Sequence, residues 1–270
     1  MKSVISIPLA AVLLTGSMAR AAFVVVDHFD SYTAGSSASG QSADWTSTGG
    51  ANTVIDTGSG NNAITVDENG DGVRYNNTGS FSIPDSSLTT TFFQVYFASD
   101  SSNSSFQDFR ILDSTSTSSA NAQVALSFRK VSTGSSVQTI AGAGGAGTEL
   151  QLNDSRISFD TLYNVWVVVD STADAYSVYM STGTDTAVGL ETVGGTGTAS
   201  VGFLTAQTAD LDYIYLRNSS GNSTGSSYFD SIHFDSTGMN LVNPIPEPST
   251  LLLVALPMTL LGLRRMRRRR

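Results

Sequence analysis

Several groups of residues in this sequence have the types and spacing to do chemistry. Asp67-Glu68-Asn69-Gly70-Asp71-Gly72 puts oxygen donors at alternate positions and glycine at the bend, the pattern D-x-[DN]-x-[DN]-G of a calcium loop. Asp67, Asn69 and Asp71 would be the ligands of a Ca2+ ion. The distal acid such a loop needs is replaced by Thr78, and the flanking Ala63–Val66 and Val73–Tyr75 have strand composition. A tight β-hairpin turn, which favours Asn-Gly and Asp-Gly, is therefore the preferred expectation. His28 and His233 each stand beside aspartates near the two ends of the core, and they could pair if the first and last strands are neighbours. No Gly-x-Ser-x-Gly elbow accompanies them to support a nucleophilic triad. Glycoside hydrolysis needs two carboxylates at a set separation. The core holds only Glu68, Glu149 and Glu191, none of them in a Glu-x-Asp-x-x-Glu run. No catalytic residue is assigned, and the expectation is a protein that is not an enzyme. Trp45, Tyr75, Tyr96, Tyr179, Tyr213 and Tyr215 include candidates for a sugar-stacking platform, with Tyr213 and Tyr215 on one face of a strand.

The elements that must position these residues read as strands. Phe93, Val95 and Phe97 share a face of Thr91–Phe97, and Val124, Leu126 and Phe128 share a face of Gln123–Arg129. That is the period of two of a half-buried strand. Val165–Val169, Tyr176–Met180, Leu211–Leu216 and Tyr228–Phe234 continue the series, and Ser, Thr, Gly and Asn fill the gaps, as in Ser31–Gly50 and Gly142–Gly147. No core stretch sustains a helical period, so an antiparallel β-sandwich or barrel is expected over residues 23–243.

The ends differ from the core. Residues 1–22 have the order of a signal peptide: Lys2, an apolar run Val4–Leu14, and Ala19-Arg20-Ala21 as the small-x-small cleavage site for signal peptidase. Residues 244–270 begin with an extended Pro244, Pro246, Pro248 linker, followed by Leu251–Leu263, which is 13 residues without a charge. As a helix that segment spans ~20 Å, short of the ~30 Å hydrocarbon core, unless flanking residues add length. Arg264, Arg265, Arg267, Arg268, Arg269 and Arg270 then stop transfer and keep the terminus cytoplasmic.

With both ends set aside, the core keeps six basic residues against 22 acidic ones, a formal charge of −16. Such a surface repels phosphate backbones and argues against a nucleic-acid partner. There are no cysteines, which excludes disulfides, thiolate nucleophiles and cysteine-bound metals.

Pro246-Glu247-Pro248-Ser249-Thr250, an apolar helix and an arginine cluster together closely resemble the PEP-CTERM sorting signal of exported proteins from Gram-negative bacteria that make exopolysaccharide. The resemblance implies that an exosortase, a membrane-embedded cysteine transpeptidase, recognises Pro246, Glu247 and Pro248 and removes the tail. The inner membrane would then hold the chain only transiently, through a single transmembrane helix, before the core reaches the cell surface, outer envelope or extracellular matrix. Within the core, Leu162–Asp170 followed by Tyr176–Gly183, and the closing Tyr228–Ile232, resemble LamG-like, concanavalin A-type jelly rolls. That resemblance implies two antiparallel sheets packed face to face, a fold that often binds glycans. The functional expectation is a non-enzymatic binding or structural module associated with exopolysaccharide. The alternative is a jelly-roll carbohydrate-active enzyme, a hydrolase or lyase.

Overall fold

Alternating apolar residues of β-branched and aromatic type build strands, and the strands pair into two sheets. The computed structural model describes residues 22–49, 52–58, 60–66, 72–76, 79–99, 106–115, 121–130, 137–143, 148–152, 157–183, 185–193, 195–218 and 227–245. Ala19 and Ala21, the calcium candidates Asp67, Asn69 and Asp71, the motif Pro246-Glu247-Pro248 and the arginines Arg264 to Arg270 lie outside them. Among the described residues, no helix is long and apolar enough to cross a membrane.

Among the described residues, sheet A has nine strands: β1 (Val24–Asp27), β3 (Asn52–Gly58), β4 (Asn61–Val66), β6 (Leu88–Phe97), β11 (Thr161–Asp170), β12 (Ala175–Thr182), β13 (Val188–Gly189), β14 (Val201–Gly202) and β16 (Tyr228–Asp235). Among the same residues, sheet B has seven: β2 (Trp45–Gly49), β5 (Gly72–Tyr75), β7 (Phe106–Leu112), β8 (Val124–Lys130), β9 (Val137–Ala143), β10 (Thr148–Gln151) and β15 (Tyr213–Asn218). Every named pairing is antiparallel, and the spatial order runs β13-β12-β11-β6-β16-β4-β3 in A and β10-β9-β8-β7-β15-β5-β2 in B. The β11–β12 hairpin expected from sequence is present.

The inner faces interdigitate as a sandwich. Phe93 of sheet A stacks on Phe109 of sheet B at 4.1 Å and meets Phe128 edge-on at 6.4 Å. Val95, Phe97, Val124 and Leu126 complete the centre of this core, as their alternation predicted. Asp27 ties the first strand to the edge of sheet B: Trp45 Nε1 donates to it at 2.7 Å and the Tyr32 hydroxyl at 2.6 Å. Burial, reinforced by that carboxylate, pushes the Tyr32 phenol well above its ordinary range.

Three local expectations are corrected. β4 and β5, which flank Asp67–Asp71, belong to different sheets, so this connection is a crossing between sheets and not a hairpin turn. The segment read as the loop Ser31–Gly50 contains the four-residue helix α1 (Ala38–Gln41) and the strand β2. Glycine-rich Gly142 and Ala143 are the end of β9, held by the pairs Glu149↔Gly142 and Thr148↔Ala143 with β10. In each case long-range pairing overrides a composition that is locally that of a loop.

Sheet A is also covered on its outer side. After β16, residues Thr237 to Ile245 cross it as a strap. The Thr90 hydroxyl donates to Gly238 O at 2.8 Å and accepts from Asn240 N at 2.9 Å, while Trp166 Nε1 donates to Val242 O at 3.2 Å. Coverage on both faces explains why Tyr163–Val169 is buried without interruption.

Candidate functional site

Alternation along three neighbouring strands of sheet B decides which side chains leave the core. Ile214 and Leu216 of β15, Phe109 and Ile111 of β7, and Val73 and Tyr75 of β5 point inward. Tyr213, Tyr215, Arg217, Asp108, Arg110 and Arg74 therefore lie on the outer face. Register sets them in rows. Arg110 and Arg74 flank Tyr215 from either side, and in the next row Asp108 stands opposite Arg217 and Ser127.

The rows form a buried floor and a half-buried rim. In the floor, Arg110 Nη2 donates to one oxygen of Asp108 at 2.6 Å, and the Ser127 hydroxyl donates to the other at 2.6 Å. These two charged side chains are 5% and 2% exposed. The Arg110 guanidinium lies 5.6 Å from the centre of the Tyr215 ring. The Tyr215 hydroxyl accepts from Thr48 at 3.2 Å. The ring rests against Gly72, where any Cβ would collide with it. Gly72 is thus needed for space under an aromatic ring and not for a turn.

The rim carries the chemistry. Arg74 lies 5.6 Å from the centre of the Tyr213 ring, a cation–π arrangement. It donates to Thr115 O at 2.6 Å and to Asn76 Oδ1 at 3.4 Å, so its polar partners among the described residues are neutral. Arg217 Nε is buried and has no hydrogen-bond partner among the described residues. The Asp108–Arg110 bridge is the only ion pair among the described residues. Among the described residues, Arg74 and Arg217 form no ion pair, although Asp108 stands across the strand pair from Arg217. Guanidinium forks grip carboxylates in bidentate fashion, and tyrosine faces cover the C–H side of a sugar ring.

The other candidates fall elsewhere. Trp45 and Tyr75 are core residues. Tyr96 lies on the outer face of sheet A and stacks on Tyr228 at 4.9 Å with a 12° interplanar angle. Beside that stack a polar row crosses the sheet through Asp230, Gln94, Asn164 and Ser181. Gln94 donates to Asn164 Oδ1 at 2.9 Å, and Asn164 donates to Gly183 O at 2.7 Å. Asp230 accepts from Asn61 Nδ2 at 3.0 Å and from Ser231 N at 2.6 Å. Burial nevertheless pushes its carboxyl up to about 7, with nearby Asp30 adding repulsion. The two histidines do meet, because β1 pairs with β16: their ring centres are 5.7 Å apart. His233 Nδ1 lies 2.8 Å from the Ser231 carbonyl, and burial holds the imidazole below its ordinary value. Ser231 thus offers His233 its carbonyl and not its hydroxyl, which is not a triad geometry. Among the described residues, no group of three or more His, Cys, Asp or Glu gathers in a metal-binding arrangement.

Sequence reasoning found Tyr213 and Tyr215 but missed Arg74, Asp108, Arg110, Ser127 and Arg217. The available signal was the alternation of Asp108 and Arg110 with Phe109 and Ile111, which puts two charges on the face opposite the core.

No family model matches the chain, and no curated protein matches it. Among solved structures, the globular domain of T. cruzi calreticulin is similar with a TM-score of 0.49 and 10% identity, over 72% of this chain and 84% of that one. A carbohydrate esterase from the Shiga toxin-encoding bacteriophage phi24B is similar with a TM-score of 0.43 and 14% identity, over 72% and 90%. The botulinum neurotoxin serotype D binding domain gives a TM-score of 0.45 and 12% identity, over 73% of this chain and 44% of that one. At these scores and identities no activity, ligand or residue role is transferred to this chain.

Proposed function

We propose that this protein is an exported, non-enzymatic module that binds an acidic polysaccharide through the outer face of sheet B. One observation carries the reading: in a core of formal charge −16, Arg74 and Arg217 stand on one face, beside tyrosines, and form no ion pair among the described residues. Arg74, Arg217 and Tyr213 are the binding residues. Asp108, Arg110, Ser127, Tyr215 and Gly72 are positioning residues that hold the floor beneath them. Carboxylates of uronic acid units would meet the guanidinium groups, and sugar faces would meet Tyr213. The acidic remainder of the surface limits adhesion to polyanions to this one face. In calorimetric titration with a polyuronate, Arg74→Gln and Tyr213→Ala are each expected to weaken binding by about fivefold to tenfold. Unchanged affinity in both variants would overturn the assignment.

The same proposal places the module outside the cell. The signal peptide and the tail Pro246-Glu247-Pro248 to Arg270 support export, exosortase processing and delivery to an exopolysaccharide-rich surface or matrix. Mass spectrometry of the protein from its native host is expected to find peptides up to the Pro246-Glu247-Pro248 region and none containing Arg264 to Arg270. An intact arginine tail on the surface-located protein would replace sorting with simple anchoring.

A further inference from the structure

The two ends of the described core meet on the outer face of sheet A. A cavity of about 330 Å³ there is lined by Ala22, Phe23 and Val25 from the start of the core and by Val242 and Pro244 from the strap. Both ends are pinned. The Phe23 ring centre lies 6.1 Å from that of Phe92 and 6.3 Å from that of His233. In the strap, Val242 N donates to Asn240 Oδ1 at 3.1 Å and Ile245 N to Asn243 Oδ1 at 2.9 Å, while Asn243 Nδ2 donates to Gly183 O at 3.4 Å. The chain is thus held as far as Ile245, one residue before Pro246.

Chain length fixes what can lie near this face. Only the five residues Pro246 to Thr250 separate Ile245 from the apolar run Leu251–Leu263, and only the seven residues Thr15 to Ala21 separate Ala22 from the apolar run Val4–Leu14. Fully extended, these connections reach roughly 20 Å and 25 Å. A bilayer that holds either run therefore lies close to the cavity. The surface met there is apolar: Val25 and Val242 are 40% and 42% exposed. In a core with 22 acidic residues, no Asp, Glu, Lys or Arg is among the described residues that line this cavity. Apolar side chains without fixed charge can enter the boundary between headgroups and acyl chains. A contact too weak to hold a free protein suffices for a tethered one, because a short tether keeps the effective concentration of its target high.

We propose that the patch formed by Phe23, Val25, Val242 and Pro244 docks on the phospholipid bilayer that holds the C-terminal apolar run. The outer face of sheet A then lies toward the membrane, and the arginine–tyrosine face of sheet B, on the opposite side of the sandwich, points away from it. This orientation rests on the export reading in one respect, that Leu251–Leu263 is inserted in a membrane. It takes nothing from the polysaccharide reading and uses none of the sheet B residues.

The chain has no cysteine, so a single introduced cysteine carries a fluorophore to one position at a time. The full chain is reconstituted in phosphatidylcholine vesicles that contain a lipid with a nitroxide on its acyl chain. Leu256→Cys reports on the C-terminal apolar run, Val242→Cys on the patch, and Thr46→Cys on the outer face of sheet B, where Thr46 is exposed opposite Arg74. The nitroxide is expected to quench the fluorophore at positions 256 and 242 and not at 46. Val25→Glu is expected to remove most of the quenching at 242 while leaving that at 256. Quenching at 256 without quenching at 242, equal quenching at 242 and 46, or no effect of Val25→Glu would overturn the docking and leave the inserted tail standing. No quenching at 256 would overturn the inserted tail and the docking with it. A fluorophore at 242 that is shielded from iodide but untouched by the nitroxide would mean that protein covers the patch, a second copy or the tail itself, and would overturn the lipid assignment.

Discussion

Replacing Arg110 by alanine is expected to lower stability by about 3–5 kcal/mol, as breaking a buried pair from one side does. Asp108 is 1% exposed and, among the described residues, would keep the Ser127 hydroxyl as its side-chain partner. The loss would therefore come mostly from a stranded carboxylate, not from the attraction of the pair itself. Two companion variants separate these contributions. Asp108→Asn with Arg110→Ala removes the stranded charge and should recover a large part of the loss. Asp108→Leu with Arg110→Met replaces both groups by apolar ones and should fall within about 2 kcal/mol of the wild type. That last variant is also informative for function. Arg110 lies against the Tyr215 ring, so its removal should loosen the floor under Tyr213 and Arg74 and weaken polyuronate binding even where stability is restored. Urea unfolding followed by fluorescence reads the first effect and calorimetry the second. Equal stability of Arg110→Ala and wild type would mean that Asp108 is solvated and that the floor is not closed.

Asp230→Asn should stabilise the protein at alkaline pH, by an amount on the order of 2–4 kcal/mol at pH 8. The folded carboxyl titrates at about 7 and the unfolded one near the model value of 3.8. A raised acid pKa means that the folded state holds its proton over this window while the unfolded state has lost it. The contribution to stability is complete below the unfolded value and disappears as pH rises through the folded one. At alkaline pH the native state must keep a buried carboxylate close to Asp30. Asparagine carries no charge there, and its one side-chain oxygen can still accept from Ser231 N. His233 runs in the opposite sense. Burial lowers its pKa, so its contribution is complete above the unfolded value of 6.5 and is lost as pH falls. The wild type thus carries two opposing slopes, and Asp230→Asn should leave only the rise with pH. Denaturation midpoints at pH 5 and pH 8 check this, and a substitution without effect at pH 8 would show that Asp230 is already ionised and solvated.

The strands whose one face is solvated were legible from sequence. Phe93, Val95 and Phe97 reach the core, as do Val124, Leu126 and Phe128, because alternation is visible only where the second face is polar. Trp166 shows the limit. It sits in an unbroken apolar run, and nothing local reveals that it points away from the core to a strap that follows β16. The adjacency of His28 and His233 could be stated conditionally, since it depends on β1 and β16 being neighbours. The segment Asp67–Gly72 misled because a turn between two strands has the same composition whether they pair or enter different sheets. The arginine–tyrosine face was the least legible. Arg74, Arg110 and Arg217 come from β5, β7 and β15, and only the order β7-β15-β5 places them side by side. Tyr215 needed Gly72 beneath it, a requirement for space that no turn rule contains.

Whether the sheet B face recognises carboxylates is decided by two forms of one polymer on the same protein: a polyuronate with free carboxylates and its methyl-esterified derivative, each titrated calorimetrically into wild type and into Arg74→Gln. A carboxylate-gripping Arg74 should give saturable binding of the acid form, at least tenfold weaker binding of the ester, and loss of most of that preference in Arg74→Gln. Equal affinity for the two forms, or a preference that survives removal of Arg74, would contradict that recognition.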